Sequence, residues 1–196
     1  MEKQEFLGFE KDEYVPIMKD ESMSFLSQLC AREKPKRILE IGTYIGYSAS
    51  VMLSSCDATV VTLEKNAENA ELARKNLAPF GERVTVVTSD AFLYIARDDI
   101  GKFDLIFLDG PKAQYINYLP FLKELLNEGG VLVADNVYFH GLVRQAGEVK
   151  HKLRTIVVNL RKFIDAICLD EDLESEILDI GDGLSVSRKR GGHGQA

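Results

Sequence analysis

Three oxygen-bearing side chains close two apolar runs of this sequence. Asp109 ends Phe103 to Asp109 (FDLIFLD), and Asp135 and Asn136 end Gly130 to Asn136 (GVLVADN). No His or Cys stands beside them. Hard oxygen donors select Mg²⁺, Mn²⁺ or Ca²⁺ over zinc or copper, and three protein ligands leave about half of an octahedral shell for water and substrate. An Asx turn would account for Asp135-Asn136 alone, but not for Asp109 as well. Lys112 follows three residues after Asp109. On a plain loop it would be a solvated lysine. Beside a metal-bound hydroxyl it could act as a general base, since a nearby cation and desolvation lower its pKa.

These residues need a scaffold that brings strand ends together. Arg37 to Gly42, Thr59 to Glu64, Arg83 to Asp90, Phe103 to Asp109 and Gly130 to Asn136 read as strands buried on both faces. Helical stretches lie between them, at Gly46 to Ser55, Asn66 to Phe80, Ala91 to Arg97 and Gln114 to Asn127. This alternation predicts βαβ units and a parallel sheet. A loop follows Asn136, then an amphipathic helix from about Lys150 to Cys168. Glu174 to Ile180 and Leu184 to Arg190 flank Gly181-Asp182-Gly183 and read as an antiparallel hairpin. The segment before Arg37 reads as one or two helices, with Met23, Phe25, Leu26 and Leu29 as the apolar stripe.

Parallel α/β sheets bind ligands at the carboxyl ends of their strands. Here those ends carry Glu40/Gly42, Glu64, Asp90, Asp109 and Asp135-Asn136. One such acid alone would be a helix cap; an acid or amide at every strand end asks for more. Glu40-Ile41-Gly42-Thr43-Tyr44-Ile45-Gly46 leads from the first strand into a helix. A dinucleotide needs a second close glycine so that the backbone reaches the pyrophosphate, and Tyr44 stands in that place. A cofactor without phosphates, such as S-adenosylmethionine, has no such need. Glu64 can accept hydrogen bonds from both ribose hydroxyls, and Asp90-Ala91 falls where an adenine ring would lie. Asp90 could also cap the helix that begins at Ala91.

The 196 residues suit one domain, with 45% apolar and 28% charged residues and a net charge of −7. No apolar run approaches the roughly 20 residues that span a bilayer, and the start lacks the pattern of a signal peptide. The three cysteines, Cys30, Cys56 and Cys168, read as reduced, mostly buried thiols of a cytoplasmic protein. The acidic balance argues against broad nucleic-acid affinity. Residues 191–196 read as a disordered tail after a single domain of residues 1–190, with an N-terminal helical lid over about residues 1–36.

The sequence resembles the catechol and caffeoyl-CoA O-methyltransferases from about Tyr14 to Arg190. ILEIGTYIGYS (Ile38 to Ser48) is similar to that family's glycine loop. LDGPKAQY (Leu108 to Tyr115) fits its D-x-x-K-x-x-Y segment, ADNVYFHGLV (Ala134 to Val143) its D-N segment, and GDGLSVSRK (Gly181 to Lys189) its last hairpin. The resemblance implies a Rossmann-like methyltransferase fold with a seven-stranded, mostly parallel sheet in the order 3-2-1-4-5-7-6. It implies that Asp109, Asp135 and Asn136 hold Mg²⁺, and that Lys112 is the catalytic base with Asp109 beside it. Around S-adenosylmethionine it implies Ile17, Glu40, Gly42, Gly46, Ser48, Glu64, Asp90, Ala91 and Asp109. It also suggests a homodimer.

Within the family, K-A-Q-Y at Lys112 to Tyr115 and N-V-Y-F-H-G-L-V at Asn136 to Val143 resemble the bacterial tRNA 5-hydroxyuridine methyltransferases. The expected acceptor is then the wobble 5-hydroxyuridine of tRNA, with a catechol or caffeoyl-CoA-like small molecule as the alternative. Each offers a hydroxyl beside a second oxygen, so the local chemistry does not separate them. Pro111 replaces the second acid that the plant caffeoyl-CoA enzymes carry, and the chain has no Trp. Arg144, Lys150, Lys152 and Arg154 could form a basic rim for phosphates, while Arg32, Lys34, Lys36 and Arg37 read as a solvated face at the opposite edge. A non-catalytic cofactor-binding scaffold is the reading of another class; it would have no use for a base and metal ligands together.

Overall fold

Five apolar runs bury backbone amides and carbonyls that can be satisfied only by one another, and this sets the sheet. A computed structural model describes residues 20–147 and 149–191. Strands β1 (Arg37–Ile41), β2 (Thr59–Glu64), β3 (Val84–Thr88), β4 (Phe103–Leu108) and β5 (Leu126–Ala134) run parallel. β6 (Leu173–Leu178) and β7 (Leu184–Lys189) complete a seven-stranded sheet in the order 3-2-1-4-5-7-6. β7 is antiparallel to both of its neighbours. The fold is the Rossmann-like α/β arrangement that the sequence implied.

Helices cover both faces. α1 (Asp20–Glu33), α2 (Tyr47–Ser55) and α3 (Ala67–Leu77) bury Met23, Leu26, Ala49, Met52 and Leu77 on one face. α4 (Ala91–Ile95), α5 (Tyr115–Leu125) and α6 (His151–Leu169) bury Ile95, Leu119, Leu122, Leu160 and Phe163 on the other. The two-residue period of a strand feeds both layers. In β4, Ile106 and Leu108 join the α5 side, whereas Leu105 and Phe107 join the α2 side. Phe103 precedes a shift in register and packs on the α5 side as well. The part of the expected N-terminal lid that is described, α1, is a core helix packed on α2. Ile17, the proposed lid contact, lies outside the described residues.

Four readings need correction. β3 is the sheet edge, and its residues are half-buried or exposed rather than buried on both faces. The helix expected to reach Asn127 stops at Leu125, because Leu126 already pairs with Phe103 of β4. Of the cysteines only Cys30 is buried; Cys56 is half-buried and Cys168 exposed. Arg37 is no solvated residue. Its guanidinium donates to the carbonyls of Ile100 (2.7 Å) and Lys102 (3.0 Å) and lies 4.5 Å over the Phe103 ring.

The α6 face bears on function because it supports the turn that follows β4. The Phe163 ring meets that of Tyr115 edge-on, 5.5 Å between centroids, and both are fully buried. Phe163→Ala should lower the free energy of unfolding by about 3–5 kcal/mol. Urea denaturation would read this as a lower midpoint with an unchanged slope.

Candidate active site

The strand ends are laced together by main-chain bonds. Asp109 N–H donates to the Ile41 carbonyl (2.9 Å), Asp135 N–H to that of Leu108 (3.0 Å), and Gly42 N–H to that of Leu63 (3.1 Å). Leu108 and Ala134 are paired in register, so Asp109 and Asp135 stand side by side one residue beyond. Gly42, at φ +102°, passes so close that a Cβ there would lie 2.4 Å from the Asp109 carbonyl oxygen. Only glycine meets both demands.

Above this floor lies a cleft of about 840 Å³ that crosses the strand ends. Gly42, Glu64, Asp90, Ala91, Asp109, Lys112 and Asn136 all line it, as nominated from sequence. Glu64 accepts the backbone N–H groups of Tyr44 and Asn66, each at 2.8 Å. Asp90 caps α4 by accepting from Phe92 N–H (3.0 Å) and pairs with Lys65 at 2.9 Å. Its capping role is therefore present, and its place on the cleft wall leaves the cofactor role open.

Glu40, Gly46 and Ser48 do not line the cleft. The strand period turns Glu40 to the α2 face with Ile38, where it is fully enclosed. Ser48 donates to one Glu40 oxygen, and Thr62, its register partner on β2, donates to the other at 2.5 Å. Burial pushes the Glu40 carboxyl up to about 7, and the two hydroxyl donors pull it only part of the way back. Gly46 adopts φ +89°, and a Cβ there would lie 2.8 Å from a Leu77 methyl, so its glycine serves helix packing.

The metal candidates divide between wall and floor. Asp109 and Asn136 face the cleft, whereas Asp135 is 1% exposed beneath it. Asp135 Oδ1 accepts from Asn136 N–H at 2.8 Å, and Oδ2 is buried without a hydrogen-bond partner. Burial, then the neighbouring Asp109 charge, push Asp135 up to about 7. An enclosed, unpaired carboxylate oxygen beside a second carboxylate calls for a cation. Among the described residues no group of three His, Cys, Asp or Glu side chains is arranged for a metal. The donor set that fits is two carboxylates and the Asn136 amide, which suits a hard divalent ion.

Lys112 Nζ lies 2.6 Å from Asp109 Oδ1 and 2.9 Å from the Tyr115 hydroxyl. Burial alone would lower its pKa, but the Tyr115 oxygen and the Asp109 carboxylate outweigh it and hold the ammonium above the ordinary lysine range. Tyr115, fully buried, donates to the Leu108 carbonyl at 2.9 Å. As it stands, Lys112 is a fixed cation.

Sequence reasoning missed the far wall, formed by Phe139, His140 and Asp182. Val137 N–H donates to the Gly183 carbonyl and Tyr138 N–H to that of Asp182, both at 3.0 Å, so the hairpin turn grips this loop. Asn136, Phe139 and His140 all take positive φ there. Non-glycine residues at such angles mark a backbone held by its surroundings, and the only sequence cue was GDG. The expected basic rim is absent from the cleft lining. Arg144 donates to Asp179 and to the Tyr138 hydroxyl, and Arg154 lines a separate hollow with Val149 and Arg161.

A seven-stranded sheet of this order, with acids across its carboxyl ends and a glycine loop after β1, defines the class of S-adenosylmethionine-dependent methyltransferases. The sequence profile of the O-methyltransferase family matches residues 8–190, and the chain belongs to that family. It is 30% identical over 176 residues to a caffeoyl-CoA O-methyltransferase of Stellaria longipes, covering 84% of this chain and 72% of that protein. Among solved structures it resembles the O-methyltransferase TomG of Streptomyces achromogenes, involved in tomaymycin synthesis and bound to S-adenosylmethionine. That match has a TM-score of 0.78 at 25% identity, over 89% of this chain and 82% of TomG. A Bacillus cereus O-methyltransferase holding S-adenosylhomocysteine matches with a TM-score of 0.77 at 26% identity, over 92% and 84% of the two chains. The protein is an S-adenosylmethionine-dependent O-methyltransferase of the caffeoyl-CoA type.

The Glu40 carboxyl carries a pH signature. Its folded pKa, about 7, exceeds the ordinary 4.5, so its stabilising contribution is complete below pH 4.5 and is lost as pH rises through 7. Glu40→Gln should therefore be more stable than the parent above pH 7, by about 3 kcal/mol, with the gap closing towards pH 4.5. Thermal unfolding of the ligand-free proteins across this range checks it; a gap independent of pH would contradict it.

Proposed function

We propose that this protein methylates a hydroxyl that stands beside a second oxygen on a small, planar, catechol-like acceptor, with help from a divalent cation. The observation that carries the reading is the enclosed, unpaired Oδ2 of Asp135 beside Asp109, with Lys112 at 2.6 Å from the latter. Asp109, Asp135 and Asn136 would hold the cation. Its charge would lower the pKa of an acceptor hydroxyl and weaken the hold of Asp109 on Lys112.

The chain's own groups then divide the work. Glu64 offers its carboxylate to ribose hydroxyls, and Asp90 and Ala91 flank the place of the adenine. Gly42, packed against the Asp109 backbone, lines the cleft where the methionine portion would lie. Glu40 and Ser48 stiffen the glycine loop from beneath. With Asp109 drawn to the cation, Lys112 would first release its own ammonium proton to solvent, and the neutral Nζ would then take the acceptor proton; Tyr115 keeps that nitrogen aimed at the cleft. The acceptor oxygen forms a bond to the methyl carbon as the carbon–sulfur bond breaks. Its electron pair goes to sulfur, leaving a neutral thioether. Positioning and charge stabilisation supply most of the acceleration.

The wobble uridine of tRNA offers the same pair of oxygens, and the Lys112 to Tyr115 and Asn136 to Val143 segments point to it. Two observations favour the small molecule. One relative above is named for a small acceptor, caffeoyl-CoA, and another is involved in tomaymycin synthesis. Arg144, one of the four cations proposed for phosphate, is engaged by Asp179.

The test is turnover of a catechol panel and, separately, of 5-hydroxyuridine-containing tRNA, followed by mass spectrometry. A catechol should gain one methyl group; methylated tRNA with idle catechols would reverse the assignment. Chelation of divalent ions should abolish turnover, and activity indifferent to a chelator would remove the cation. Lys112→Ala should cost about 10²–10⁴ in kcat while S-adenosylhomocysteine still binds in calorimetry; full activity would remove the base.

A further inference from the structure

The cleft crosses the sheet from the β2–β3 edge to the hairpin that joins β6 and β7. Glu64, Lys65 and Asp90 stand at the first end, Asp109 and Lys112 in the middle, and Asp182 at the last. If Glu64 marks the cofactor's ribose, the acceptor enters at the Asp182 end. That inference rests on the function proposed above.

The charges at this end are fixed. Asp182 Oδ2 accepts from His140 N–H at 2.7 Å, which locks the carboxylate against the loop that walls the cleft. The arginines on the loop and on α6 beside it are engaged away from the cleft. Arg144 pairs with Asp179 and stacks on Tyr138, 3.5 Å from the ring centroid. Arg161 donates to the carbonyls of Leu142, Val143 and Gln145. Among the described residues, both lysines that line the cleft are paired, Lys65 with Asp90 and Lys112 with Asp109. A held charge in a half-enclosed cleft acts on a ligand more strongly than a charge on an open surface.

We infer that Asp182 sets the charge preference of the acceptor site, favouring catechols with a cationic ring substituent and disfavouring those with a carboxylate or phosphate. The opposing arrangement, a free arginine on this wall, would have selected anions.

The experiment compares kcat/KM, with Mg²⁺ present, for catechols bearing an aminoalkyl, an alkyl or a carboxylate substituent. It uses the full-length protein and Asp182→Asn, whose side-chain oxygen can still accept from His140 N–H. The cation-to-anion ratio should fall about fivefold in the variant, the order expected of one unit charge at several ångströms with partial screening. In the parent the ratio should also fall at high salt. Asp182→Ala, which loses the charge and the acceptor together, should give the same ratio as Asp182→Asn with a higher KM for the alkylcatechol. A ratio unchanged within twofold would reduce Asp182 to a loop anchor and overturn the inference, whatever happens to overall activity.

If the parent methylates no catechol, the proposed function fails separately. The charge preference is then read from binding of the same three catechols to protein loaded with S-adenosylhomocysteine and Mg²⁺. Tighter binding of the cationic catechol in the parent, lost in Asp182→Asn, would sustain the inference. Equal binding, or none, would overturn it.

Discussion

The candidate site depends on one constraint, the pinning of Asp109 between its neighbouring strands. Its N–H is bound to β1, the carbonyl before it receives the N–H of Asp135, and its own carbonyl lies against Gly42. One peptide segment thus touches the cofactor loop, the cation candidates and, through Oδ1, Lys112. A side chain on a free loop would have to lose conformational entropy each time the three groups aligned. Here the sheet has already ordered them, which is what rate acceleration by positioning requires. The large helices serve this arrangement indirectly. α6 presses Phe163 on Tyr115, and Tyr115 bonds both Lys112 and the end of β4.

Carboxyl groups lie at two depths in this floor. Those on the cleft wall, Glu64, Asp90 and Asp109, are met by backbone amides or lysines. Those beneath, Glu40 and Asp135, have only hydroxyls or one amide as donors, and burial pushes both upward to about 7. The floor of the cleft is therefore short of positive charge. A sulfonium cofactor and a divalent cation would both supply it. Ligands that bring charge to buried carboxyls draw their protons off, so binding becomes coupled to pH through the same linkage that governs stability.

Much of this was legible in the sequence because strand ends are punctuated. Apolar runs ending in acids located β1, β2, β4 and β5, and the neighbours in the strand order then brought Asp109 beside Asp135. Glu40 was harder. Its position at a strand end suggested a cleft residue, and only the parity of β1, with Ile38 and Glu40 on one face, turns it inward. Gly46 was nominated with the glycine loop, but what it makes room for is Leu77, many residues away. The edge position of β3 likewise depends on what lies beyond it in the sheet, which no local pattern records.

The far wall was least legible, and the reason is physical. Phe139 and His140 sit in a segment without period, at backbone angles that neither residue favours by itself. What holds them is a hairpin some forty residues later, through main-chain bonds and one carboxylate. Gly183 is part of the same device, since a Cβ there would lie 2.5 Å from the Tyr138 ring. A wall assembled from two distant segments can change its lining while the strand ends keep theirs. On the proposed function, the chemistry and the choice of acceptor would thus reside in separable parts: the reacting groups on the rigid floor, and selectivity on the strapped loop above it.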